Sequence, residues 1–195
     1  MFELLIPFLL ILFITTLAII WRINARKYIS SGTVASAYDA WTQDKLLERL
    51  WGEHIHLGFY PSGKKNIDFR KAKVQFVHQL VKWSGLDKLP QGSRILDVGC
   101  GIGGSSRILA EYYGFHVTGI TISPAQVKRA RELTPNGLNC HFQVMDALDL
   151  KFEDGSFDAV WSVEAGAHMN DKTRFADEML RTLRPGGYML SLIHI

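Results

Sequence analysis

The sequence predicts an α/β protein built on a doubly wound, mostly parallel sheet, and two observations carry that prediction. From Arg94 onward, short apolar runs bounded by glycines alternate with helix-like stretches. The first of those runs leads straight into Gly99-Cys-Gly-Ile-Gly-Gly104 and then into a helix. Strands are read at 94–98, 116–120, 141–144, 157–163 and 188–192, and helices at 105–113, 124–133 and 173–183. Short Val/Ile-rich strands of this kind are buried on both faces, and such sheets take ligands at their carboxyl ends.

The elements before Arg94 are read from the N-terminus. Residues 4–21 hold no charge and come close to the roughly 20 residues that a bilayer requires. Nothing basic precedes the run and no small-x-small site comes after it, so residues 1–21 read as an uncleaved transmembrane anchor. Arg22, Arg26 and Lys27 come next, which places the remainder of the chain on the cytoplasmic or stromal side as a single-pass membrane protein. Residues 22–37 read as a polar connector, flexible at 30–33, and 38–195 as one domain. A helix is expected over 39–51, with Trp41, Leu46, Leu47 and Leu50 on its apolar side, followed by a turn at Pro61-Ser-Gly63. A second helix carries Phe69, Ala72, Phe76, Leu80 and Trp83 at three- and four-residue intervals and closes at Gly85. Ser123 as cap, Pro124 at the first helical position and Gln126 mark the start of the 124–133 helix as a capping box. The chain stops at Ile195 just after a strand begins, whereas a full sheet of this class needs two more strands and a helix. It is therefore expected to be incomplete there, and residues 191–195 are given no function.

Composition excludes several functions. The net charge is +3, of which residues 1–30 supply +2 (three basic residues against Glu3), leaving +1 for the rest, so no phosphate-neutralising stripe for a nucleic acid is expected. Two cysteines, Cys100 and Cys140, do not make a disulfide scaffold. Glu53, His54 and His56 resemble a zinc set, but no further Cys or His stands at ligand spacing, so no metal is expected.

The glycine loop alone is ambiguous, because Gly99, Gly101 and Gly104 also satisfy the dinucleotide pattern Gly-x-Gly-x-x-Gly. Asp97 stands two residues before the loop, where its carboxylate would repel a pyrophosphate and favour an ammonium. The acidic residue expected about 20 positions on to hold a ribose is replaced by Thr121. Both observations favour a cationic cofactor.

Taken together, Asp97 to Gly103, Val117-Thr-Gly-Ile-Thr-Ile-Ser-Pro124, Met145-Asp-Ala147, Phe157-Asp-Ala-Val-Trp-Ser162 and Arg184-Pro-Gly-Gly187 resemble the successive motifs of class I S-adenosylmethionine-dependent methyltransferases. More narrowly, Trp51-Gly-Glu-His-Ile-His-Leu-Gly-Phe-Tyr60 and Trp161-Ser-Val-Glu-Ala-Gly-Ala-His-Met169 resemble the tocopherol and plastoquinone C-methyltransferases, over almost everything up to Gly187. The resemblance implies S-adenosyl-L-methionine as cofactor, a lipid-soluble prenylated benzoquinol with a phytyl or solanesyl tail as substrate, and a photosynthetic bacterium as source. It implies that Asp97, Gly99, Cys100, Gly101 and Gly103 hold the methionine end and ribose, Thr121 and Ile122 the ribose, Asp146 and Ala147 the adenine, and Ser162 the floor near the sulfonium. Tyr38 and Gln126 would close the cofactor site, and Tyr38, His54, His56 and Tyr60 would form a lid over substrate.

His168 and Glu164 come directly after a strand end and are the catalytic candidates, since ring methylation needs a base near the phenol. Their structural alternatives are a helix cap and a loop hydrogen bond. Two other functions remain open. γ-Tocopherol methyltransferases share most motifs but tend to carry Glu where this chain has Ala167, and a non-catalytic cofactor-binding membrane subunit would keep the loop alone.

Overall fold

The computed structural model of the chain describes residues 11–17, 19, 31–62 and 66–193. Helices α1 (Ser31–Gln43), α2 (Leu46–Trp51) and α3 (Phe69–Ser84) precede an alternating series. That series runs β1 (Arg94–Val98), α4 (Gly104–Tyr113), β2 (His116–Thr121), α5 (Pro124–Leu133), β3 (Cys140–Val144), β4 (Phe157–Val163), α6 (Lys172–Thr182) and β5 (Leu183–Leu192). The five strands pair in parallel in the order β3-β2-β1-β4-β5.

The two-residue period of the strands separates the core into two halves. Ile95, Val117, Ala159 and Trp161 point to the face covered by α3, α4 and α5, where they meet Val77, Val81, Ile108, Leu109 and Val127. Leu96, Val98, Ile120 and Val160 point the other way, onto Phe157, Phe175 and Met179 of β4 and α6. Chain order reverses between β1 and β4, so a crevice opens at the carboxyl ends of the central strands.

The start of α5 is held as the sequence indicates, with one difference. Ser123 Oγ accepts from the Gln126 N–H at 3.1 Å. The returning half of the box is not made, because Gln126 Oε1 instead accepts from Thr121 Oγ1 at 2.6 Å. Asp39 of α1 takes the place of that second cap: its Oδ1 accepts from Ser123 Oγ at 2.5 Å and from the Ala125 N–H at 3.1 Å. A carboxylate at a helix N-terminus is favoured by the helix dipole, so α1 is fixed to α5 there.

Three expectations are corrected. Residues 31–37, read as connector, lie in α1, and Ala37 is buried. The single helix expected over 39–51 is broken, because Lys45 adopts a left-handed φ of 52° and Asp44 Oδ1 starts α2 anew by accepting from the Leu46 N–H at 2.9 Å. Strand β5 begins at Leu183, not Tyr188, opposite Phe157, with a bulge between Phe157 and Ala159 bridged by the 2.7 Å Arg184–Asp158 ion pair. The transmembrane helix expected over residues 1–21 lies mostly outside the described residues; 11–17 and 19 are helical, and among the described residues no helix is long and apolar enough to cross a membrane.

Trp161 is fully buried at the centre of the sheet. Trp161→Ala should lower the unfolding free energy by about 3–5 kcal/mol in denaturant melts, the usual cost of emptying a large aromatic site.

Candidate functional site

Strand β1 ends at Val98 and the chain turns at once, through φ values of 78° at Gly99, 57° at Gly101 and 80° at Gly103. The N–H groups of Gly99 and Cys100 both donate to Ile120 O at 2.9 Å, which fastens the loop to β2. A β-carbon on Gly99 would stand 2.3 Å from that of Ala165, and one on Gly103 2.6 Å from the Phe142 ring. Gly101 has nothing within 4 Å of that position and forms the open side of the loop. Beneath it Asp97 is buried, and its Oδ2 accepts from Ser106 Oγ at 2.5 Å. Burial pushes this carboxyl up to about 7. Ser162 Oγ donates to Val98 O at 3.1 Å and ties β4 to β1 at the base of the loop.

Above the strand ends lies a cavity of about 230 Å³. Gly99, Ile120, Thr121, Ile122 and Gln126 form one wall, Met145 to Leu148 a second, and Glu164, Ala165 and His168 to Asn170 a third, with Val34 and Tyr38 of α1 over the top. Among the described residues neither Lys nor Arg lines it, while Asp146 and Glu164 do. An apolar slot bearing carboxylates fits a flat ring with hydroxyls and a positive charge, and opposes a pyrophosphate.

The third wall carries strain. Glu164 is a non-glycine residue at φ 63°, a conformation that costs on the order of 1 kcal/mol or more. Its Oε1 is buried without a hydrogen-bond partner. Such an acceptor leaves room for a donor from a ligand or from water. Four residues on, His168 Nε2 shares a 2.9 Å hydrogen bond with the hydroxyl of Tyr38, closing the cavity between α1 and the turn after β4. Partial burial, and then the charge of Lys172, hold the His168 imidazole below its ordinary range and so neutral near neutral pH. Lys172 Nζ donates to the carbonyls of Gly166, Ala167 and Met169, which shapes that turn.

The Trp51 to Tyr60 segment lies elsewhere. His56 Nε2 and His54 Nδ1 are 3.1 Å apart and buried, and Lys73 Nζ donates to Trp51 O at 3.0 Å and His54 O at 2.7 Å. Burial lowers Lys73 to about 8 and His54 to about 3. This segment packs behind the start of α4, where a β-carbon on Gly104 would meet Glu53 O at 2.7 Å, and Glu53 pairs with Arg107 at 2.5 Å.

Residues 96–191 match the family described as "Methyltransferase domain". They form a methyltransferase domain. Its chain is 59% identical to 2-methyl-6-phytyl-1,4-hydroquinone methyltransferase of Synechocystis sp., over 88% of this chain and 54% of that protein. It is 42% identical to the chloroplastic tocopherol O-methyltransferase of Arabidopsis thaliana, over 74% of this chain and 44% of that one. The chain spans about half the length of the curated relatives it matches. Among solved structures, the [4+2]-cyclase SpnF superposes with a TM-score of 0.72 at 30% identity, covering 82% of this chain and 58% of that one. The phosphoethanolamine N-methyltransferase 2 of Haemonchus contortus, in complex with S-adenosyl-L-methionine, gives 0.62 at 26% identity, covering 78% and 32%.

Within the methyltransferase domain and α1, the cavity gathers Tyr38, Gly99, Thr121, Ile122, Gln126, Asp146, Ala147, Glu164 and His168 of the residues singled out in the sequence. Asp97, Cys100, Gly101, Gly103 and Ser162 lie in or under the loop and not on the cavity wall, since Asp97 and Ser162 turn to Ser106 and Val98. His54, His56 and Tyr60 line no part of it, and Tyr60 is exposed. Val34, Ile120, Met145, Leu148, Ala165, Met169 and Asn170 were missed. Val34 had a signal: Val34, Ala37, Tyr38 and Trp41 recur at helical spacing through the supposed connector.

The buried His54 makes stability depend on pH. Its folded pKa of about 3 lies below the ordinary 6.5, so its contribution is present above about 6.5 and is lost as pH falls from there toward 3. Urea melts should show the wild type losing on the order of 2 kcal/mol between about pH 7 and pH 5 from this group, and His54→Gln should flatten that part of the profile.

Proposed function

We propose that this chain is the cofactor-binding part of a membrane-anchored, S-adenosyl-L-methionine-dependent methyltransferase that methylates a ring carbon of a prenylated benzoquinol, either 2-methyl-6-phytyl- or 2-methyl-6-solanesyl-1,4-benzoquinol. The observation that carries it is the carboxylate-bearing cavity at the glycine loop, lined by no Lys or Arg among the described residues, in a chain whose relative bears the name of that quinol's methyltransferase. Its residues fit the roles proposed for them. Gly99, Cys100, Gly101 and Gly103 give backbone room for the methionine end and ribose, with Asp97 acting from below. Thr121 and Ile122 take the ribose, Asp146 and Ala147 the adenine edge, and Gln126 and Tyr38 close the site. Ser162 fixes the floor by holding β4 to β1.

When bound, S-adenosyl-L-methionine supplies a methyl group on a positively charged sulfur. The residues of this chain supply what that methyl requires of its acceptor. A quinol ring carbon becomes nucleophilic as its hydroxyl proton is shared; neutral His168, oriented by Tyr38, would take that proton and return it to the oxygen as the methylated ring carbon gives up its hydrogen to solvent. Glu164 Oε1 accepts a hydrogen bond from the substrate or from the cofactor's ammonium. No step requires a covalent link to the protein or a metal.

The anchor is residues 1–21, the connector 22–30, and the domain begins with α1 and faces the cytoplasm or stroma of a photosynthetic cell. Lying on the membrane, the domain would meet a lipid-soluble substrate where that substrate resides. A second reading, methylation of a tocopherol ring, is favoured by the Arabidopsis relative, whereas Ala167 ahead of His168 favours the benzoquinol.

Membranes from cells expressing the full-length protein should move labelled methyl from S-adenosyl-L-methionine onto 2-methyl-6-phytylbenzoquinol faster than onto γ-tocopherol. His168→Gln should lower kcat by about 10²- to 10⁴-fold and abolish the acid limb of the pH profile, whose midpoint in the wild type lies below the ordinary 6.5 of histidine. Transfer to neither benzoquinol would contradict the proposal, and a protein that binds cofactor without turnover would replace it with a non-catalytic subunit.

A further inference from the structure

Helix α2 and the segment after it hold an apolar surface that the fold does not use. Leu46, Leu50, Trp51, Ile55, Leu57 and Tyr60 are each between 46% and 57% exposed, and α2 contains no buried residue although four of its six residues are Leu or Trp. These residues lie on α2 and the segment that follows it, which is tied to the first turns of α3. The Phe59 N–H donates to Ala72 O at 2.9 Å, Arg70 Nη2 donates to Arg49 O at 2.6 Å, and Lys73 Nζ lies 5.4 Å from the ring centroids of both Trp51 and Phe69. An apolar face of this extent on a soluble surface marks a contact with something else.

Charge identifies the contact. Between residues 44 and 71 the sequence has six basic residues, Lys45, Arg49, Lys64, Lys65, Arg70 and Lys71, against four acids. All four acids are engaged: Asp44 and Asp68 cap α2 and α3, Glu48 pairs with Arg129, and Glu53 pairs with Arg107. What remains is exposed leucine, isoleucine and aromatic side chains in a stretch of sequence with an excess of positive charge, the composition of a surface that rests in the headgroup layer of an anionic bilayer. The chain also holds this face close to a membrane. Only nine residues, 22–30, separate the uncharged run from α1, and they reach at most about 30 Å. That second argument rests on the anchor proposed above, whereas the first rests on the face alone.

We infer that the α2 face, from Leu46 to Tyr60, is a second, interfacial membrane contact that seats the domain on anionic lipid. Its test separates the face from the anchor. The full chain carrying Leu50→Cys, labelled with an environment-sensitive fluorophore, is reconstituted in phosphatidylcholine vesicles with and without phosphatidylglycerol. Cys100 and Cys140 are buried, so the introduced thiol is the one that reacts. On anionic vesicles the label should shift to the blue and be quenched several-fold more by lipids spin-labelled near the headgroup, and high salt or Lys45→Glu with Arg49→Glu should abolish both effects. A label at the exposed Trp83 (Trp83→Cys) should stay solvent-like throughout. The inference is overturned if the Leu50 label stays solvent-like on anionic vesicles, if the Trp83 label shifts equally, or if the shift tracks protein concentration and not lipid, as contact with a second copy would. None of these readings depends on methyl transfer.

Discussion

A β-carbon on Gly99 would stand 2.3 Å from that of Ala165, so the end of β1 and the end of β4 can approach only because one of them carries no side chain. That approach sets the rest of the site. It lets Ser162 bond Val98 O, brings the loop amides under Ile120 O, and starts α4 directly above the buried Asp97. Next to Ala165, Glu164 takes a positive φ and lines the cavity. Strain and an unsatisfied acceptor at one position in a cleft are what a binding site holds when its ligand contributes the missing partner.

The N-terminal segment is attached through its own carboxylates to α4 and α5. Asp39 caps α5, Glu48 forms a two-pronged pair with Arg129 at 2.6 and 2.8 Å, and Glu53 holds Arg107 on α4. Each pair is partly screened from water, and its geometry fixes orientation more than it adds stability. The outcome is positional: α1 lies across the cavity and delivers Tyr38 to His168. The same arrangement leaves α2 on the outside, with its leucines in solvent. One set of ion pairs thus accounts for both the roof of the cavity and the apolar face beside it.

From Arg94 onward the fold was legible because the strands are short apolar runs alternating with helical stretches, the first ending in a glycine loop, and Ser123-Pro124 states its own helix start. Four of the five strand starts lie within one residue of the sequence reading; β5 differs because the Arg184-Pro-Gly-Gly187 segment pairs through a bulge that composition conceals. Before Arg94 legibility fell. The serines and glycine at 30–32 read as a linker, while the Val34, Ala37, Tyr38, Trp41 stripe that makes α1 helical is only four residues long. His54 and His56 attracted attention as polar residues in a motif, yet they are buried against each other and neutral, a tertiary fact with no local signal. The positive φ of Glu164 and its unpaired oxygen were equally out of reach, since both belong to a turn that packs against Gly99, 66 positions from Ala165.

The most direct measurement of the central claim is the thermal midpoint of the chain titrated with S-adenosyl-L-methionine and, separately, with NAD. A ligand held only by the folded state adds RT ln(1 + [L]/Kd), about 2.7 kcal/mol at one hundred times Kd, so the midpoint should climb steadily with S-adenosyl-L-methionine and stay fixed with NAD. A midpoint that rises with NAD, or one that S-adenosyl-L-methionine leaves unmoved, would contradict the assignment of the glycine loop and its acidic cavity to a cationic cofactor.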